Sequence, residues 1–249
     1  MSTTIDIAFL PDNLTPKQLE DSTAIVVDVL RASTTIVHAL AHGAAKIHPM
    51  ETVELAKQAA DQAPAGSVLL AGERECVAVE GFDLGNSPLA YTPERVQGRT
   101  IVFTTTNGTR ALVKSKFANR VLIGTFVNQA AIVGELTAYT GKLLIVCAGT
   151  NGQISAEDVL FAGSLTHSLN KVWSNRVTLS DTARIAMDFF RANSENHARL
   201  LEAVRQSRGG QNLVRLGFDE DIARCASLDL FSTVPEYDPT TNELTAAGN

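Results

Sequence analysis

Three stretches of the chain set hydroxyls, amides and charged groups where an apolar run ends. The densest is Thr104-Thr105-Thr106-Asn107-Gly108-Thr109-Arg110, between Ile101-Val102-Phe103 and the helix-like Ala111-Leu112-Val113-Lys114. Its threonines are hydroxyl donors, Gly108 lets the backbone approach a ligand, and Arg110 offers a planar fork to phosphate or sulfonate oxygens. The second, Cys147-Ala148-Gly149-Thr150-Asn151-Gly152, follows Leu143-Leu144-Ile145-Val146 and precedes Ser155-Ala156-Glu157-Asp158. The third, Asp28-Val29-Leu30-Arg31-Ala32-Ser33-Thr34-Thr35, follows Ala24-Ile25-Val26-Val27. Strand, polar turn, helix start is where an α/β sheet holds an anion. One Thr-Asn-Gly alone reads as an ordinary turn. Three such loops at the carboxyl ends of parallel strands can converge on one site.

Several chemistries are excluded. No G-x-x-x-x-G-K-[ST] is present, so there is no P-loop. His38 and His42 have the spacing of a zinc helix, but Ala39 stands where a metalloprotease needs Glu, and the pair reads as a polar helix face. Asp28 ends a strand as an aspartyl-phosphate nucleophile does, yet Leu30 replaces the usual second acid. Cys147 also ends a strand, but Gln153 occupies the place of the arginine a cysteine phosphatase requires. What remains is an anion site with carboxylates around it: Asp28, Glu73, Asp83, Glu157 and Asp158. Carboxylates beside a phosphate need a cation, and Mg²⁺ is the usual one. For Glu157 and Asp158 the competing account is first-turn acids favoured by the helix dipole.

Alternating elements must position these loops. Strands are expected at 5–10, 24–28, 46–50, 67–71, 99–104, 120–124 and 142–147. Helices are expected at 33–42, 52–62, 109–116, 128–139 and 155–172. Repeated β–α–β units imply an α/β fold, a mainly parallel sheet with helices on both faces. The long connection Gly72–Gly98 carries Gly72-Glu73-Arg74 and Gly81-Phe82-Asp83-Leu84-Gly85-Asn86-Ser87-Pro88, suited to folding over a site or to a plain surface excursion. Beyond about residue 176 amphipathic helices follow at 181–192 and 195–207, with shorter ones from 209 and 219. Ser232–Thr245 reads as a loop or small hairpin. The expected organisation is a single domain, 1–249, with an α/β core over 1–175 and a helical part over 176–249 that packs on the sheet.

Composition bounds the partners. With 45% hydrophobic residues in 249, the chain can bury a substantial core. A net charge of −6 argues against nucleic acid or an anionic membrane as partner. The three cysteines Cys76, Cys147 and Cys225 fit neither a disulfide framework nor a zinc pattern, so a cytoplasmic setting is expected. The N-terminus lacks a basic region before an apolar run, and no apolar stretch is long enough to span a membrane.

Taken in order, Val27 to Thr35, Gly72 to Arg74, Gly81 to Pro88, Thr104 to Arg110 and Cys147 to Gly152 with Glu157-Asp158 resemble the 2-phosphosulfolactate phosphatase family. Gly209-Gly210-Gln211-Asn212-Leu213 and Asp221-Ile222-Ala223 add weaker support, while Glu75-Cys76 departs from the small residues expected after Gly-Glu-Arg. The resemblance implies Mg²⁺-dependent hydrolysis of (R)-2-phospho-3-sulfolactate to sulfolactate and phosphate by a homodimer. Asp28, Arg31, Arg110 and Asp158 are the expected catalytic residues. Asp28, Glu157 and Asp158, with Glu73 a further candidate, are the expected metal ligands. Ser33, Thr34, Thr105, Thr106, Asn107, Gly108, Thr109, Thr150, Asn151 and Gly152 are expected to hold phosphate. Cys147 is expected to be a buried small residue, with water attacking phosphorus. The alternative is a non-catalytic binding or regulatory protein for a phosphorylated or sulfonated acid.

Overall fold

The computed structural model describes residues 3–64, 66–174 and 176–247. Its strands are β1 (Thr3–Ala8), β2 (Ser22–Val27), β3 (Lys46–Pro49), β4 (Val68–Arg74), β5 (Val77–Ala78), β6 (Thr100–Thr104), β7 (Arg120–Ile123), β8 (Lys142–Cys147), β9 (Val177–Leu179), β10 (Pro235–Asp238) and β11 (Glu243–Ala246). Its α-helices are α1 (Pro16–Leu19), α2 (Ala32–Ala41), α3 (Val53–Gln62), α4 (Pro93–Val96), α5 (Gly108–Ser115), α6 (Gln129–Glu135), α7 (Ala156–Val172), α8 (Asp181–Ala192), α9 (His197–Gln206), α10 (Arg208–Arg215) and α11 (Asp219–Cys225). None is long and apolar enough to cross a membrane.

All the strands join one sheet, in the order β5-β4-β6-β3-β11-β10-β7-β2-β8-β1-β9. From β7 to β9 the pairings are parallel, as are those among β3, β6 and β4. The C-terminal hairpin β10–β11 lies between these two groups, with Tyr237 antiparallel to Val121 and Leu244 antiparallel to Ile47. Three antiparallel steps separate β7 from β3, so the two groups run in opposite senses along the ladder. The loops therefore do not share one edge of one parallel sheet, as the β–α–β pattern implied. The loop after β6 nevertheless reaches the loop after β2. A β-carbon on Gly108 would lie 2.6 Å from Ala32 Cβ and 2.9 Å from Asp28 Oδ2.

Helices cover both faces of the central strands. All six residues of β2 are buried, as for a strand covered on both sides. Ile25 and Val27 join an apolar cluster with Leu160, Phe161 and Leu165 of α7, which also takes Leu200, Leu213 and Ile222 from the C-terminal helices. Ala24 and Val26 join the other, around Ile36, Val37 and Leu40 of α2. The expected polar face of α2 is not polar in its surroundings. His38 is only 2% exposed, its ring meets His42 and Phe231 edge-on, and its Nε2 has no partner among the described residues. The C-terminal segment carrying Phe231 lies over this face, a long-range contact no local pattern reveals.

Candidate active site

A cavity of about 330 Å³ lies where these loops meet. Asp28 stands at its wall, just past β2. The turn that starts α2 fixes it: the Asp28 N–H donates to Ser33 Oγ (2.9 Å), and the Ala32 N–H donates to Asp28 Oδ1 (3.3 Å). Burial, and then the charge of Glu73, push the Asp28 carboxyl up to about 7, against the Ala32 N–H and the Arg31 charge.

The other carboxylates divide into two kinds. Glu73, at the end of β4, has both oxygens engaged: Oε1 accepts from the Thr106 N–H (2.8 Å) and Oε2 from the Cys76 N–H (2.7 Å). Asp158 is engaged in the same way, by the Val29 N–H (2.9 Å) and the Gly149 N–H (3.0 Å), and it does not line the cavity. These two side chains stitch the loops together. Glu157 is different. It too lies off the cavity wall, behind Gly209, and is 2% exposed; among the described residues its Oε2 has no hydrogen-bond partner, and burial raises its pKa. Among the described residues no group of three or more His, Cys, Asp or Glu side chains could hold one metal ion. The expected set of four carboxylates is thus not assembled, because backbone N–H groups already occupy Glu73 and Asp158. Asp28 and Glu157 remain, interacting closely enough that Glu157 helps to raise the Asp28 pKa.

Among the expected phosphate-holding residues, Thr106, Asn107, Thr150 and Asn151 line the cavity. The Asn151 N–H donates to Asn107 Oδ1 (3.1 Å), joining the loops after β6 and β8. The others lie off the cavity. Ser33 and Thr34 are buried in the first turn of α2, where Thr34 Oγ1 donates to the Val29 carbonyl (2.9 Å). Thr105 and Thr109 are buried and bonded to each other. Gly108 backs onto Asp28 rather than onto the cavity, and Gly152 is exposed away from it. Arg31 lines the cavity, fixed by Asp221 (2.5 Å) and the Cys76 carbonyl (2.7 Å) with its guanidinium over the Phe218 ring. Arg110 does not. It sits on the outer side of α5, ion-paired with Asp12, because the Pro11–Asn13 turn packs against that helix. Cys147 is fully buried below the cavity, and burial, then the charges of Asp158 and Glu157, push its thiol up.

The profile of the 2-phosphosulpholactate phosphatase family matches residues 8–240, a span that holds every residue lining the cavity. The chain belongs to that family. It is 41% identical to a probable 2-phosphosulfolactate phosphatase of Symbiobacterium thermophilum, over 90% of this chain and 95% of the relative. Against the protein of the same name in Thermotoga petrophila it is 40% identical, over 87% and 89%. Against that of Clostridium beijerinckii it is 35% identical, over 94% and 96%.

In this member of the 2-phosphosulpholactate phosphatase family the cavity also takes residues the loop pattern missed. Glu75 and Cys76 form a turn with φ of 53° and 67° after β4. Asn86, 6% exposed and with Oδ1 unpartnered among the described residues, enters from the long 72–98 connection. Gly209, Asn212 and Arg215 enter from α10. Asn86, Gly209 and Asn212 lie in stretches that carry the family resemblance, which was the available signal. Arg215 has no such flag.

Proposed function

We propose that the chain is a Mg²⁺-dependent phosphatase that hydrolyses (R)-2-phospho-3-sulfolactate to (R)-3-sulfolactate and phosphate. The observation that carries this is the cavity itself: Asp28, Glu157 behind Gly209, and the Thr106–Asn107 and Thr150–Asn151 loops, in a chain matched to the family over 8–240. Mg²⁺ takes one or two carboxylates and fills its other positions with water and phosphate oxygens. Asp28 and the unpartnered Oε2 of Glu157 fit that demand. Bound there, the ion would neutralise phosphoryl charge and make a water more acidic.

The chain's own groups do the positioning. Thr106, Asn107, Thr150 and Asn151 supply hydroxyl and side-chain amide donors for phosphoryl oxygens. The bond from Asn151 to Asn107 holds the two donor loops in one arrangement before substrate arrives. Arg31, already fixed by Asp221, presents a rigid edge to the cavity rather than a free charge. Water is the nucleophile, because the Cys147 thiol is buried, protonated and outside the cavity. A homodimer in the cytoplasm is carried over from the family resemblance and the cysteine usage, and light scattering tests the assembly.

The test is phosphate release from (R)-2-phospho-3-sulfolactate with Mg²⁺ and with excess EDTA. Release with Mg²⁺ and none with EDTA is expected. No release under either condition would sink the assignment, and undiminished release in EDTA would remove the metal from it.

A further inference from the structure

The substrate proposed above carries a sulfonate and a carboxylate as well as a phosphate, and the cavity must offset all three. Its wall already holds three carboxylates, Asp28, Glu73 and Glu75, which repel an anion. Arg31 is not free to compensate. Its guanidinium is paired with Asp221, the two side chains being 2% and 3% exposed. Arg110 is spent on Asp12 outside the cavity. Arg215 is the remaining cation on the wall. It is exposed, makes no ion pair among the described residues, and its side chain donates only to the neutral Asn212 Oδ1.

We propose that Arg215, held by Asn212, binds the sulfonate of the substrate. The assignment rests on the phosphatase function proposed above. The placement follows from α10. Gly209, near the start of this helix, lies against Glu157, and Arg215 ends it. Six residues at 1.5 Å each put their Cα atoms about 9 Å apart along the helix axis. A long arginine side chain spans the gap back to the far end of a three-carbon acid whose phosphate lies by Glu157 and Asp28. Asn212 is one helical turn before Arg215 and fixes the side chain through its amide oxygen. The planar guanidinium then meets two sulfonate oxygens at once, a geometry an ammonium group lacks. Arg215 also lies where a cation complements a helix C-terminus. That role would affect stability but not the choice between substrates.

The experiment compares kcat/KM for (R)-2-phospho-3-sulfolactate and for 2-phospholactate, which keeps the phosphate and carboxylate but lacks the sulfonate. It uses the full chain with Mg²⁺. In Arg215→Gln the ratio of the two should fall roughly ten- to a hundredfold, the usual consequence of losing a charge-assisted hydrogen bond, mainly through KM for the sulfonated substrate. Arg215→Lys should fall part of the way, and it carries the comparison if circular dichroism shows Arg215→Gln unfolded. An unchanged ratio in the folded variant overturns the assignment. If the wild type releases phosphate from neither compound, the proposed function has failed, and calorimetric binding of sulfolactate decides the subsite. Tenfold weaker binding by Arg215→Gln keeps it. Equal binding, or none by the wild type, overturns it.

Discussion

Gly209 lies against Glu157 with no space for a side chain: a β-carbon there would be 2.1 Å from Glu157 Oε1 and 3.5 Å from Leu30 Cβ. Alanine is ordinarily the better helix residue by roughly 1 kcal/mol, so an unhindered Gly209→Ala would stabilise α10. The clash reverses the sign. Overpacking costs about 1–3 kcal/mol, and the displaced group is the carboxylate assigned to the metal. Gly209→Ala should therefore lower the urea midpoint and weaken Mg²⁺ binding by tenfold or more in calorimetry. A folded Gly209→Ala protein with normal Mg²⁺ affinity would take Glu157 out of the ligand set, and Glu157→Gln would then bind Mg²⁺ normally too.

Asp28 and Asp158 are both buried acids beside the cavity, but they should fail differently. Asp158→Ala leaves the Val29 and Gly149 N–H groups buried without acceptors. At about 1–3 kcal/mol each, the loss is a large share of a typical domain's stability, and the loops after β2 and β8 should loosen together. Asp28 has one oxygen lightly engaged and faces the cavity. Asp28→Asn should keep the fold and lose Mg²⁺ binding. Urea unfolding and Mg²⁺ calorimetry on both variants check this. Stability lost at Asp28 and Mg²⁺ lost at Asp158 would exchange the two roles.

The sheet's alternating elements were legible because strands such as Ala24–Val27 and Leu143–Val146 are continuous apolar runs broken by turn residues. The two-residue β5 and three-residue β9 were not, since a few residues carry no period. Nor was the central place of the C-terminal hairpin. Pro235 and Pro239 mark a turn locally, but pairing with β7 and β3 is decided by partners more than a hundred residues away. In the site, the strand-end loops alone pointed to Asp28, Thr106, Asn107, Thr150 and Asn151, all of which line the cavity. Arg110, named by the same logic, lies off the cavity. A residue type and its loop specify chemistry, whereas helix rotation specifies direction, and α5 turns Arg110 toward Asp12. Glu73 at the end of β4 and Asp158 in the first turn of α7 show the other limit: an acid beside a strand-end loop serves a metal or two backbone N–H groups with the same sequence signature.

Cys147 tests the route to phosphorus. Its thiol is buried and protonated, so a covalent phosphocysteine would need it both exposed and ionised. Cys147→Ala should retain most of the wild-type kcat and lose about 1 kcal/mol of stability from the small void. Rapid-quench trapping of a phosphoenzyme, or a folded, Mg²⁺-binding Cys147→Ala protein without turnover, would make the cysteine the nucleophile.

The two arginines of the loop motifs should separate by burial. Arg110 and Asp12 are 54% and 45% exposed, and such a pair is worth about 0–1 kcal/mol. Arg110→Ala should leave kcat/KM within a small factor of the wild type, with a stability change that shrinks further as salt is added. Arg31 and Asp221 are out of water, and Asp221 also accepts from the Ser87 hydroxyl at 2.6 Å. Arg31→Ala would strand the Asp221 charge in the interior, which costs about 3–5 kcal/mol, and would free the β4–β5 turn that it holds through the Cys76 carbonyl. Arg31→Lys keeps the charge but cannot reach both Asp221 and Cys76 with one planar group, so an intermediate loss is expected. Asp221→Asn is the control that removes the buried charge from the other side, and its effect with Arg31→Ala should be smaller than the sum of the single losses. Equal, small effects at Arg31 and Arg110, insensitive to salt, would show that the buried pair does not hold the cavity wall.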